Sequence, residues 1–267
     1  MLNQYIWQTI QQEGKRIGIP VHKKRALIRE YLQSKIIYYF YQKKSAHQLS
    51  FIGGTSLRML RGLDRFSEDL DFDNLGLSFD AIKKIFSQIE ADLIKEGIKA
   101  KFSLKKINNS GIGSFKFLDL LSKLDISSHQ DEKLEVKINY TSPKIKPARE
   151  VLTLSRFGLV CTVVTNTLDV LLAQKIKAIM QRKDLQPRDF YDVVWFLSQN
   201  IKPDPDILKD LNIKQEKIAE KIIDIFRNKV VPRLKDYKAR LRPFLIDEKK
   251  ISYLDIFDKI VESKLRK

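Results

Sequence analysis

The sequence predicts an α+β fold in which a mixed β-sheet core is flanked by N-terminal helices and a C-terminal helical region. Three observations predict it. Apolar residues recur at three- and four-residue spacings from Leu2 to Ile17 and from Lys23 to Tyr41, the helical period. A central region then breaks into short apolar or alternating runs separated by glycine and asparagine turns, as strands do. From Thr167 onward the helical period returns almost without interruption. Boundaries near residues 48 and 165 give N-terminal helices (1–48), a core (49–165) and a C-terminal helical domain (166–267).

Each element has a local reason. The two leading helices break near Gly18 and Pro20, and Ile28, Leu32, Ile36 and Tyr39 share one face of the second. LSFI is a short apolar run ending in Gly53-Gly54, a buried strand that delivers the chain to a tight turn. Thr55 to Gly62 suits a short helix, and DLDFD alternates acid and apolar residues as a strand does, with Asp73 expected past its end. A helix follows from Phe79 to Glu96, stopped at Gly97. Three strands are expected at 99–107, 113–118 and 133–140, the first two joined by hairpin residues Asn108-Asn109-Ser110-Gly111. After the basic stretch TSPKIKPARE comes one more strand, Leu159 to Val164.

Composition narrows the function classes. Fifty Lys and Arg against 33 Asp and Glu leave a net charge of +17, which attracts polyanions such as RNA or an acidic protein. A single cysteine, Cys161, and three histidines exclude a disulfide framework and argue against a Cys- or His-rich metal site. No apolar run approaches the roughly 20 residues that span a bilayer, and MLNQYIWQTIQQEGKR lacks the apolar stretch of a signal peptide, so a cytoplasmic location away from membranes is expected.

The most informative segment is FIGGTSLRMLRGLDRFSEDLDFDN. Asp69 and Asp71 lie two apart on an expected strand, so their carboxylates project the same way and can share one cation. Mg2+ suits such a pair, because it uses few carboxylates and fills its other positions with water and phosphate oxygens. Gly53 and Gly54 allow close backbone approach, the next helix offers free N–H groups to a phosphate, and Thr55 and Ser56 add hydroxyls. A double glycine alone is ordinarily a turn, and a lone DxD is ordinarily solvated surface. Their ordered combination is what phosphoryl chemistry requires.

Downstream, Leu168, Leu171, Leu172, Ile176 and Ile179 form an apolar stripe that contains Lys175. Either its stem packs while the ammonium escapes to water, or the ammonium neutralises phosphate charge. Arg182, two turns on, is placed to meet phosphate or RNA. Pro187 opens a further helix that carries Asp189 and Asp192 three residues apart. As pure stability devices, Asp189 would cap this helix and Asp192 would pair with Arg188. Ser67 either approaches a bound γ-phosphate, or is itself modified, or only turns the backbone.

GGTSLRMLRGLDRFSEDLDF resembles the signature of the AbiEii/AbiGii toxin family, nucleotidyltransferase-like proteins of bacterial type IV toxin–antitoxin (MenT-like) and phage-abortive systems. The likeness includes the lead-in Arg65-x-Ser67-x-Asp69 and a second block, LLAQKIKAIMQRKDLQPRDFYDVVWFL, and spans residues 48–200. The resemblance implies a nucleotidyltransferase core, Asp69 and Asp71 as metal ligands, and Lys175 with Asp189 or Asp192 in the catalytic set. It places Arg65 among the phosphate-binding residues. It also implies NTP as substrate, an RNA acceptor at the 3′ end of tRNA, a block on translation, and a cognate antitoxin encoded nearby. Enzymes of this type often carry a third carboxylate on a neighbouring strand. In KLEVKINY, Lys137 stands where that acid is expected, which leaves Glu135 as candidate base. Two alternatives stay open: nucleotidylation of a protein or small molecule, and a non-catalytic RNA- or partner-binding member of the fold.

Overall fold

The computed structural model describes residues 4–266, which form two compact units. The first comprises the described residues up to Gly62 together with Phe66–Lys144 and Arg149–Thr165; the second comprises Leu63–Arg65, Ile145–Ala148 and the chain from Asn166 onward. In chain order the first unit contains α1 (Gln4–Arg16), α2 (Lys24–Tyr41), β1 (Leu49–Ile52), α3 (Gly53–Arg61), β2 (Leu70–Asn74), α4 (Phe79–Lys95), β3 (Ala100–Ile107), β4 (Ser110–Phe117), α5 (Leu120–Lys123), β5 (Leu134–Thr141), β6 (Arg149–Arg156) and β7 (Leu159–Asn166, its last residue in the second unit). The second holds α6 (Leu168–Gln181), α7 (Pro187–Ser198), α8 (Pro205–Lys209), α9 (Ile218–Ile225), α10 (Leu234–Leu241) and α11 (Phe257–Leu265).

The strands make one seven-stranded mixed sheet in the order β3-β4-β5-β2-β1-β7-β6. β1 runs antiparallel to β2 but parallel to β7, and β2 runs parallel to β5. One face is aromatic. Phe72 of β2 and Phe102 and Phe115 of β3 and β4 meet Phe40 of α2 and Phe86 of α4, with ring centroids 5.0 Å (Phe40–Phe72), 5.2 Å (Phe40–Phe86) and 5.5 Å (Phe86–Phe102) apart. Full burial of such rings is worth roughly 1.5–3 kcal/mol each. α2 is thus a core helix, and its buried Glu30 fastens it to its neighbours by accepting from Arg58 Nε of α3 at 3.2 Å and from Arg156 of β6 at 2.6 Å.

Local signals mostly operate as expected. Ser78 caps α4 by accepting the Ala81 N–H at 3.2 Å, and Gly97 at φ 78° follows the end of that helix. Ser78→Ala should cost about 1 kcal/mol, read from the denaturant midpoint; an unchanged midpoint would show that the cap contributes nothing. Ile107 pairs with Ser110, so the β3–β4 turn is Asn108-Asn109, with Asn108 at φ 51°.

Three expectations need correction. Asp73 lies inside β2 and is 3% exposed, because pairing with Ser50 of β1 extends the strand to Asn74. A whole strand, β6, occupies 149–156, where the sequence suggested a basic connection running up to β7. It is a sheet edge, and Arg149, Val151, Thr153 and Ser155 are all exposed, so its apolar signal is diluted. The short α5 was also not foreseen.

In the second unit, α7 packs against α6 and α11, and Phe190, Phe226 and Phe257 form the aromatic centre, with centroids 5.1 Å (Phe190–Phe257) and 4.6 Å (Phe226–Phe257) apart. Pro187 and Pro205 sit in the first turns of α7 and α8, where a missing N–H costs nothing. Among the described residues no helix is long and apolar enough to cross a membrane.

Candidate active site

In the first unit, β1 ends at Ile52 and the chain turns directly into α3 through Gly53, whose φ of 77° is the left-handed conformation glycine tolerates. There is a second reason for glycine. A Cβ at this position would lie 2.4 Å from Asp71 Oδ2, so the carboxylate occupies the space that a side chain would fill. Asp71 is therefore seated at the start of α3, where Ile52 provides no side-chain cap to the first N–H groups. Gly53→Ala should cost about 1–2 kcal/mol from the backbone alone and displace Asp71 as well; a thermal midpoint equal to wild type would sink this account.

Asp69 stands just ahead of β2, and its carbonyl accepts the Thr55 hydroxyl at 2.5 Å. Gln33 of α2, 1% exposed, donates to the carbonyls of Ser67 and Glu68 at 3.1 and 2.9 Å and so holds the chain that leads to Asp69. Ser67 itself is half-buried. The hydroxyls of Thr55 and Ser56 are fully buried: Thr165 Oγ1 donates to the Phe51 carbonyl at 2.7 Å, so Ser56 donates to Thr165 at 3.0 Å. Both hydroxyls are thus engaged in internal contacts.

Sheet register corrects the third-carboxylate expectation. Asp71 pairs with Asn139, whose Nδ2 donates to Asp71 Oδ1 at 2.9 Å. Glu135 sits four residues earlier on β5, about 13 Å along the strand from Asn139, and lies opposite Lys116 of β4. It is too far away to share a ligand with Asp71. Asn139 is the polar neighbour that sequence reasoning missed, because pairing between strands so distant in the chain leaves no local signal. Among the described residues no group of three or more His, Cys, Asp or Glu side chains forms a metal nest. Asp71 with the Asn139 amide, and Asp69 two residues before it, are of the donor chemistry that suits an ion keeping waters and phosphate oxygens in its shell.

In the second unit a chain of charges runs Arg65–Asp192–Lys175–Asp189–Arg182. Arg65 is 1% exposed and grips Asp192 in a bidentate pair, both bonds at 2.6 Å. The phosphate-binding expectation for Arg65 is therefore corrected: the guanidinium is enclosed by protein and holds Asp192. Lys175 Nζ lies 2.8 Å from Asp192 and 3.1 Å from Asp189, whose other oxygen pairs with the half-exposed Arg182. Lys175 does not snorkel outward, and Asp192 pairs with Arg65 and Lys175 instead of Arg188, which stacks on Phe244 at 4.5 Å. Asp189 lies in the first turn of α7 without capping it.

Burial and partners set the charge states. Desolvation opposes charge on all three inner groups, yet the partners prevail. Asp192 is held below the usual carboxylate range by Arg65 and Lys175. Lys175 is raised by Asp192 and Asp189, and Arg65 by Asp192. All three stay ionised around neutrality.

The fold is shared with solved structures from one bacterium. It resembles the Helicobacter pylori protein JHP933 (TM-score 0.54, 18% identity, 90% of this chain and 93% of that one) and a candidate nucleotidyltransferase from H. pylori (TM-score 0.55, 19% identity, 90% and 96%). The family model for the nucleotidyl transferase AbiEii toxin of type IV toxin–antitoxin systems matches residues 35–263, so the chain belongs to that family. No curated protein sequence matches it significantly.

Proposed function

We propose that the chain is a metal-dependent nucleotidyltransferase toxin that moves an NMP from an NTP onto an RNA acceptor, the 3′ end of tRNA, and thereby blocks translation. The observation that carries the reading is the seating of Asp71 over Gly53, which sets a carboxylate beside a helix N-terminus suited to phosphate. Magnesium would be held by Asp69 and Asp71, and when bound it would neutralise triphosphate charge and lower the pKa of the attacking hydroxyl. The α3 N-terminus binds phosphate through backbone N–H groups, and Asn139 fixes the Asp71 rotamer. In the second unit Asp192 is committed to Arg65, which leaves Asp189, linked to the more exposed Arg182, as the aspartate assigned to the reaction. Lys175 holds that aspartate in place.

A toxin of this family implies an antitoxin encoded alongside, and a role in phage defence follows from the same reading. The net charge of +17 favours RNA over a small molecule as acceptor. The test incubates purified protein with magnesium, each labelled NTP in turn and total tRNA. Label should enter RNA only while divalent metal is present. Label on protein or on small molecules would overturn the acceptor assignment, and no label with any NTP would overturn transfer itself.

A further inference from the structure

Asp71 lies on the sheet face opposite the aromatic core, and that face continues across three strands with Glu135 as its single acid. Asn139, the neighbour of Asp71 on β5, pairs with Ile112 of β4, which pairs with Lys105 of β3. The next row toward the start of β5 reads Lys137, Ser114, Ser103, and the row after it Glu135, Lys116, Lys101. Directly opposed residues share a face, so Lys101, Lys105, Lys116 and Lys137 all project on the side of Asp71. All four are exposed, and none has an ion-pair partner among the described residues. Ile112 is 50% exposed in their midst, and Glu135 is the one acid on these three strands. Lys105 stands three strands from Asp71, about 14 Å at the usual strand spacing.

Elsewhere several cations are matched by acids. Of the C-terminal cations, Arg227 pairs with Asp258, Arg233 with Asp236, Lys238 with Asp255 and Arg242 with Glu248. The β3–β4–β5 face keeps its charge, and it is continuous with the candidate metal pair.

We infer that this open face binds the acceptor RNA, a single strand whose phosphates lie on the four lysines and whose terminal ribose is delivered to Asp69 and Asp71. The inference rests on the transfer reading for the identity of its ligand. RNA is favoured over an acidic protein because the lysines lead in register to the residues that would act on a nucleotide end. The face offers two exposed apolar residues, Ile112 and Ile107, enough to meet bases and too little for a protein interface.

The experiment measures anisotropy of a short fluorescein-labelled single-stranded RNA with the full chain across a salt series. The variant Lys101→Ala/Lys105→Ala/Lys116→Ala/Lys137→Ala should bind at least ~10-fold more weakly, with the log–log salt slope reduced by about 3. Lys83→Ala/Lys84→Ala, on α4 across the aromatic layer, should bind within about twofold of wild type. Equal loss in both variants, or none in the first, overturns the assignment. Polyglutamate that competes as well as unlabelled RNA overturns it in favour of an acidic protein. Label transfer is followed in the same samples. Lysine-dependent binding without transfer in wild type sinks the transfer reading and leaves the surface assigned; transfer with unchanged binding in the first variant sinks the surface alone.

Discussion

Asp71→Asn should lower nucleotide transfer by about 10³-fold, because it removes charge at the point where the triphosphate must be neutralised. The substitution keeps the side chain's shape over Gly53 and its hydrogen-bonding capacity toward Asn139. Stability should therefore shift by less than about 1 kcal/mol, as for a partly exposed polar exchange. Label incorporation at saturating NTP and RNA, with a thermal melt of the same sample, separates the two effects. A variant that transfers within tenfold of wild type would remove Asp71 from the chemistry. A variant that melts far earlier would mean that the carboxylate serves the fold first.

The largest effect on stability is expected at Asp192. Its replacement by Asn leaves Arg65 and Lys175 charged and buried without their shared counter-ion, a situation that costs about 3–5 kcal/mol. Urea unfolding measures it, and a loss below about 1 kcal/mol would refute the keystone role. The sign with pH follows from the lowered pKa of Asp192. A depressed carboxylate stabilises the folded state above the unfolded value of about 3.9 and loses that contribution as pH falls through the folded value. Wild type should therefore lose this stabilisation as pH drops below about 4, and Asp192→Asn should show no such loss from this group. Arg65→Met/Asp192→Leu, which removes both charges of the bidentate pair, should recover part of the deficit.

Much of the fold was legible because its signals are local. The period of α2, the cap and glycine stop of α4 and the proline that opens α7 are all written within a turn of where they act. So was the DxD strand after a double glycine. What could not be read depends on pairing at a distance. Arg65 and Asp192 are 127 residues apart in the chain, so an arginine in a recognisable motif was naturally assigned to substrate when its partner is internal. Asn139 meets Asp71 only through the β2–β5 register, and Glu135 looked attractive only because that register was unknown. The strand β6 went unseen because an edge strand presents half its residues to water, and its exposed Val151 breaks the expected polar side of the alternation.

Leu63–Arg65 group with the residues beyond 166, although they lie early in the chain. A fragment that begins at residue 166 therefore carries Asp192, Asp189 and Lys175 but lacks the arginine that neutralises the buried pair. During synthesis the arginine emerges from the ribosome long before its aspartate, and the charge chain closes only after α7 has been made. A growing polypeptide thus stays incomplete in its second unit until most of its length exists.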